Sequence, residues 1–271
     1  MKLKLILILF AITASIQLKG NESKKILVYT FVGEGYVHDN ISHSEKAIEK
    51  LGKENGFQVA IRRNPEVFHQ DSIKMYDAIV FANTNEQAFL SDEQRLAFKR
   101  YIQAGGAFVG IHGASTSEAQ WPWFVSMVGG TFVRHPKFQE YKLKVIDKVH
   151  PSTSFINKDW LWEDECYFMN YLNPAIHVLL AADLSTVVDD KMDDYPGKTF
   201  GDLFPAAWYQ FFDGGKQWYT ALGHDPKSYE DPVFLNHILE GILWAIKDTE
   251  LDYSQARAKK IILKQNKKNN N

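Results

Sequence analysis

A single cysteine in 271 residues, Cys166, excludes an intrachain disulfide and any multi-cysteine metal site. No apolar run reaches the ~20 residues that a membrane-spanning helix needs. No Pro-, Gly- or Ser-rich linker divides the chain and no internal repeat recurs, which favours one domain. Acid is missing from both ends. Lys2, Lys4 and Lys19 have no carboxylate among them, and neither do Arg257, Lys259, Lys260, Lys264, Lys267 and Lys268 after Asp252. With 31 basic residues in all, 22 remain in the body against 33 acidic ones. An acidic body argues against nucleic acid as a partner. What is plentiful is apolar and aromatic material, 45% and 14% of the chain, enough for a sizeable core.

Residues 1–20 read as a secretory signal peptide: a basic start at Met1-Lys2-Leu3-Lys4, then a short apolar stretch from Leu5 to Ile16. This predicts a periplasmic or secreted protein with no stable membrane insertion after cleavage. The domain then runs over 25–247. The basic, Lys/Asn-rich end, 248–271, reads as a disordered tail.

Inside the domain, apolar runs alternate with helical patterns. Lys25 to Thr30, Phe57 to Ile61, Asp77 to Ala82 and Ala107 to Ile111 are strands of buried type. Ser42 to Leu51 is helical, and Ser91 with Gln94 forms a capping box for a helix to Gln103. This order predicts an α/β fold: a mostly parallel, doubly wound sheet in a three-layer sandwich. The second half is less regular. Tyr141 to Ile146 and His177 to Ala182 read as strands. Ala207 to Phe212 and Gln217 to Leu222 flank Asp213-Gly214-Gly215, a late β-hairpin, and Pro232 to Ile246 is a closing amphipathic helix. Ligands of open parallel sheets bind beyond the carboxyl ends of the strands. Three loops there carry polar residues: His38-Asp39, Asn83-Thr84-Asn85-Glu86 and His112-Gly113-Ala114-Ser115.

The segment Gly105-Gly106-Ala107-Phe108-Val109-Gly110-Ile111-His112-Gly113-Ala114 resembles the trehalose-utilisation ThuA-like family. Further matches follow in order: His38-Asp39, Phe132 with His135-Pro136, His150-Pro151-Ser152-Thr153, Asp164-Glu165 with Tyr167, Pro205 with Trp208, and Tyr219 to His224. The resemblance implies a flavodoxin-like sandwich of the class I glutamine amidotransferase type. It also implies carbohydrate metabolism, with trehalose or a related glycoside, or a keto-sugar derived from one, as a small substrate. True amidotransferases place a nucleophilic Cys at the strand-to-helix elbow. Here that position is His112 and Cys166 lies far from it in sequence, so glutamine hydrolysis is rejected.

His38, His112 and His224 each follow a strand. With Glu165 they form the expected catalytic set, either an acid/base cluster or three imidazole ligands for zinc or another divalent metal. Asp39, Asn85, His135, Asp164, Tyr167 and Trp208 are the expected substrate contacts. For His38 and His112, hydrogen bonding within a loop is the plainer alternative, and His135 and His150 could equally cap turns. The aromatic surroundings of Asp164-Glu165 fit a sugar-site edge or a packed core. Two functions follow: a hydrolase, lyase or isomerase acting on a sugar, or a non-catalytic sugar-binding module on the same fold.

Overall fold

The computed structural model describes residues 23–264. The signal-peptide reading, on 1–20, therefore lies outside the described residues. Nine strands form one mixed sheet in the order β2-β1-β3-β4-β11-β10-β9-β6-β7. Its first half is parallel: β1 (Lys25–Tyr29), β2 (Gln58–Arg62), β3 (Ala78–Ala82), β4 (Ala107–Ile111) and β11 (Gly215–Thr220). Four of these five, β2 excepted, have a neighbouring strand on both sides, and β1, β3 and β4 are buried almost throughout. That two-sided burial is why their sequences read as unbroken apolar runs.

The late hairpin turns the sheet antiparallel. β10 (Leu203–Phe212) pairs with β11 across the two-residue turn Asp213-Gly214, both at positive φ as a twisted hairpin requires. β9 (His177–Asp183), β6 (Gln139–Val145) and β7 (Trp160–Asp164) extend this half to the far edge. A separate antiparallel pair joins β5 (Gly130–Arg134) to β8 (Phe168–Leu172).

Helices cover both faces. α1 (Ile41–Asn55) and α6 (Pro232–Ile246) pack together on one side, and α6 lies over β4 and β11. On the other side lie α2 (Gln70–Ile73), α3 (Asp92–Gln103) and α4 (Pro122–Val128). An aromatic cluster fills that interface. Phe81 of β3 and Phe108 of β4 meet Phe98 of α3 and Phe124 of α4, with ring centroids 5.3–6.2 Å apart in edge and tilted geometries. Truncating one such ring typically costs about 3–5 kcal/mol. Ser91 caps α3 by accepting from Gln94 N at 3.3 Å. The return bond of the predicted box falls one residue early: Gln94 Oε1 accepts from Leu90 N, not from the cap.

The tail differs from expectation as far as it is described. Residues 248–264 lie against the body. Arg100 donates to the carbonyls of Ala256 and Ala258, Gln103 Oε1 accepts from Arg257 N and Ala258 N, and Lys264 N donates to Gln120 O. Leu251 and Ile261 pack on the core. Composition registered the lysines; the side-chain partners that α3 offers to the tail's backbone were not visible in it.

Candidate active site at the carboxyl edge of the sheet

β1, β3, β4 and β11 run in parallel, so the loops that follow them emerge at one edge of the sheet. The chain turns sharply as β4 ends. His112 takes a left-handed φ of 48°, which aims its imidazole back across the strand ends. Gly113 follows because any Cβ there would sit 2.8 Å from Thr84 O. His112 is fully buried, and its ring lies tilted against Tyr167 with centroids 4.3 Å apart.

The hydrogen bonds fix its tautomer. Nδ1 lies 2.7 Å from Ala221 O, a carbonyl that can only accept, so Nδ1 carries the proton. Nε2 then presents a lone pair, to which Tyr167 Oη donates at 2.7 Å. Burial holds the His112 pKa well below 6.5, helped by nearby His38, so the ring is neutral. His38, on the loop after β1, is buried too, and burial, reinforced by His224, pushes it down to about 4. Its Nδ1 is buried and has no hydrogen-bond partner among the described residues. His224, after β11, is shifted the other way: its hydrogen bond to Glu165 raises its pKa above 6.5.

The three rings converge, with centroids 5.0, 5.3 and 5.5 Å apart. One ring nitrogen of each lies within 4.8 Å of the others. Glu165 sits beside them. Its Oε2 is 3.2 Å from His224 Nδ1 and 3.7 Å from His112 Nε2, and its Oε1 is 3.3 Å from His135 Nε2. Four residues read from sequence as the catalytic set thus meet at one point, with His135 as a fifth member. All but the buried His112 line a cavity of about 640 Å³, which Asn85, Thr116, Phe132 and Tyr167 also line. A larger groove of about 860 Å³ beside β7, lined mainly by Phe155, Ile156, Trp160 and Leu161, gathers no histidine.

Two expected substrate contacts belong elsewhere. Asp164 is wholly buried and both its oxygens are taken: Oδ2 by Gly223 N (2.7 Å) and Trp162 Nε1 (2.8 Å), Oδ1 by Glu165 N (2.8 Å) and His224 N (3.3 Å). Burial pushes its pKa up to about 6 despite these donors. It fixes the His224 loop rather than meeting a ligand. Trp208 is core: its indole donates to Val128 O at 2.8 Å and its ring packs on Tyr219. Asp39 is exposed at the rim, in an adjoining lobe. Cys166 lies in the core, where burial pushes its thiol up to about 12, so it offers no thiolate.

Asn40 was missed by the sequence reading. It stands at the N-cap of α1, yet its side chain makes no cap. Instead Nδ2 donates to Gly223 O (2.6 Å), His224 O (2.8 Å) and Asn83 Oδ1 (3.1 Å), tying together the loops after β1, β3 and β11. An Asn two residues after a candidate site His was the available signal.

The family model described as "ThuA: Trehalose utilisation" matches residues 25–245. The chain belongs to the ThuA family. Among solved structures, a ThuA-like protein from Bacteroides uniformis is similar at 21% identity and TM-score 0.65, over 84% of this chain and 94% of that one. One from Parabacteroides merdae gives 19% and 0.66, over 88% and 100%. A β-galactosidase from Rahnella sp. R3 gives 14% and 0.54, over 83% of this chain but only 31% of its own. At such identities these likenesses show the fold alone. The search of curated proteins found no match. The ThuA sandwich is therefore the fold.

Proposed function

We propose that this ThuA-family chain is an exported enzyme acting on a glycoside or keto-sugar, using a divalent transition metal held by His38, His112 and His224. The observation that carries the proposal is the convergence of three imidazoles from three loops beside the Glu165 carboxylate. The donor set suits such an ion. His112 has its Nδ1 proton committed to a backbone carbonyl, the usual second partner of a metal-ligating histidine, and the buried His38 Nδ1 has no partner among the described residues. The 3.3 Å between His112 Nε2 and His224 Nδ1 suits two ligands on one ion with bonds of about 2.0–2.1 Å. The ion would supply Lewis-acid polarisation of a substrate carbonyl.

The chain's own groups do the rest. A ketone acidifies the neighbouring C–H, and in this reading Glu165, beside the three imidazoles, takes that proton. In an elimination, the C–H electron pair becomes a C=C bond as the glycosidic C–O bond breaks. The protonated Glu165 then returns its proton to the leaving oxygen. His135, whose Nδ1 proton is bound by Pro136 O, keeps an Nε2 lone pair facing Glu165 and can carry a proton to solvent. Tyr167 donates to His112 Nε2, and once that nitrogen is a ligand its hydroxyl is free for a substrate oxygen.

The test combines metal analysis of the purified protein with turnover of native and keto-disaccharides. Stoichiometric metal and keto-sugar turnover are expected, and Glu165→Gln should lose on the order of 10²–10⁴-fold in kcat. Metal-free protein that binds sugar but turns over neither class would leave the binding module as the correct reading. Export rests on the basic, then apolar start. Intact-mass measurement from the native host showing Met1 retained would refute it.

A further inference from the structure

The cavity has a second lobe. A smaller space of about 240 Å³ is lined by Tyr36, Asp39, Phe138, His224, Asp225 and Pro226. Tyr36 and His224 line both spaces, so the lobe adjoins the inner cavity at the histidine cluster.

Its lining is unusual for a rim. Tyr36 is 62% exposed and Phe138 is 39% exposed, two large rings left toward water beside the site. They bracket the cluster: Tyr36 meets His38 edge-on at 4.9 Å, and Phe138 lies 6.1 Å from His224. Tyr36 is held from behind. Asn85 Nδ2 donates to its carbonyl at 3.2 Å, and Gly35 lies so close to the β3 loop that a Cβ would fall 2.6 Å from Glu86 Cγ. Asp39 adds a carboxylate that has no hydrogen-bond or ion-pair partner among the described residues. Asp225 has one oxygen spent on Lys227 N.

Two aromatic faces beside unspent carboxylate oxygens match a pyranose ring. The sugar's C–H face is weakly positive and packs on the negative face of an aromatic ring. Its hydroxyls donate to carboxylates. We propose that the outer lobe is a second sugar subsite: the reacting unit occupies the inner cavity, while Tyr36 and Phe138 hold the other ring of a disaccharide and Asp39 accepts from its hydroxyls. The inference rests on the carbohydrate reading above and adds the size of the substrate and the residues that select it.

The test compares trehalose with methyl α-glucoside, which lacks the second ring, by ligand-observed NMR titration. The wild type should bind trehalose more tightly. Phe138→Ala, at an exposed position outside the inner cavity, should weaken trehalose roughly three- to ten-fold and leave the methyl glucoside unchanged, while Tyr36→Ala, which borders both spaces, should weaken trehalose more than the methyl glucoside. Equal wild-type affinities, equal losses for both sugars in the variants, or no saccharide binding would each overturn the subsite. A protein that turns over keto-glycosides yet shows equal affinities keeps the enzyme and loses the subsite. One that binds trehalose through Phe138 and has neither metal nor turnover keeps the subsite and loses the enzyme.

Discussion

His112 combines a left-handed backbone, complete burial and two committed ring nitrogens, so how it is replaced decides what an experiment reports. Alanine would leave Ala221 O and the Tyr167 hydroxyl without a partner at a position where a non-glycine residue is already strained. His112→Ala should therefore cost about 1–3 kcal/mol of stability as well as activity. Asparagine tolerates positive φ and can still donate to a carbonyl. His112→Asn should keep its urea midpoint close to wild type while losing turnover on a verified substrate. An active His112→Asn protein would remove the imidazole from the mechanism. Residue identity alone was a partial guide here. His38, His112, His224 and Glu165 were legible because each follows a strand or lies in a family segment. Asp164 and Trp208 were misplaced because a carboxylate and an indole look the same in sequence whether they face a ligand or already have protein partners.

Among the elements, the β10–β11 hairpin has a role beyond reversing the chain. Asp213 in its turn accepts from Gln103 Nε2 (2.9 Å) and Trp123 Nε1 (2.8 Å) through one oxygen, and from Arg257 (3.0 Å) through the other. It links the turn to α3, α4 and the docked tail. Asp213→Ala should cost about 1–3 kcal/mol and raise amide exchange around 250–258. Asp213→Asn, which suits the same backbone, should recover part of the loss. Unchanged exchange in the alanine variant would mean that the tail is held by Gln103 and Arg100 alone. The turn and α6 could be read in advance because Asp-Gly and Pro232 are strong local signals. β5, β7 and β8 could not. β7 alternates buried and exposed residues over only five positions, and it is pinned by pairing with β6, a partner defined by the fold and not by local pattern.

For the whole molecule, acid is the revealing variable. His150 and His237 are buried away from the cluster, and burial pushes both down to about 4. The unfolded chain, with histidines near 6.5, binds more protons below that pH. Stability should therefore fall as pH drops from 6.5 toward 4, by at most about 3 kcal/mol per histidine. Asp164 works in the opposite sense: raised to about 6, it takes its proton in the native state first, so its contribution is lost as pH rises through 6. Two histidines outweigh one carboxyl, and net acid lability is expected. His150 caps α5 (Pro151–Ser154) by accepting from Ser152 N. His150→Asn can keep that cap while removing a titrating group, so urea unfolding at pH 7 and pH 5 should differ less for the variant than for wild type. An unchanged difference would assign the acid sensitivity elsewhere. The mixed sheet also has a bearing on how the protein is made. β11 is among the last strands synthesised, yet it sits between β4 and β10. Throughout translation from Ile111 to Gly215, a nascent chain that folded early would show a bare, apolar edge at β4, where it can pair with a neighbouring ribosome's product. Refolding yield from denaturant should accordingly fall as protein concentration rises, and safe biogenesis favours a chain kept open until its carboxyl-terminal third is complete.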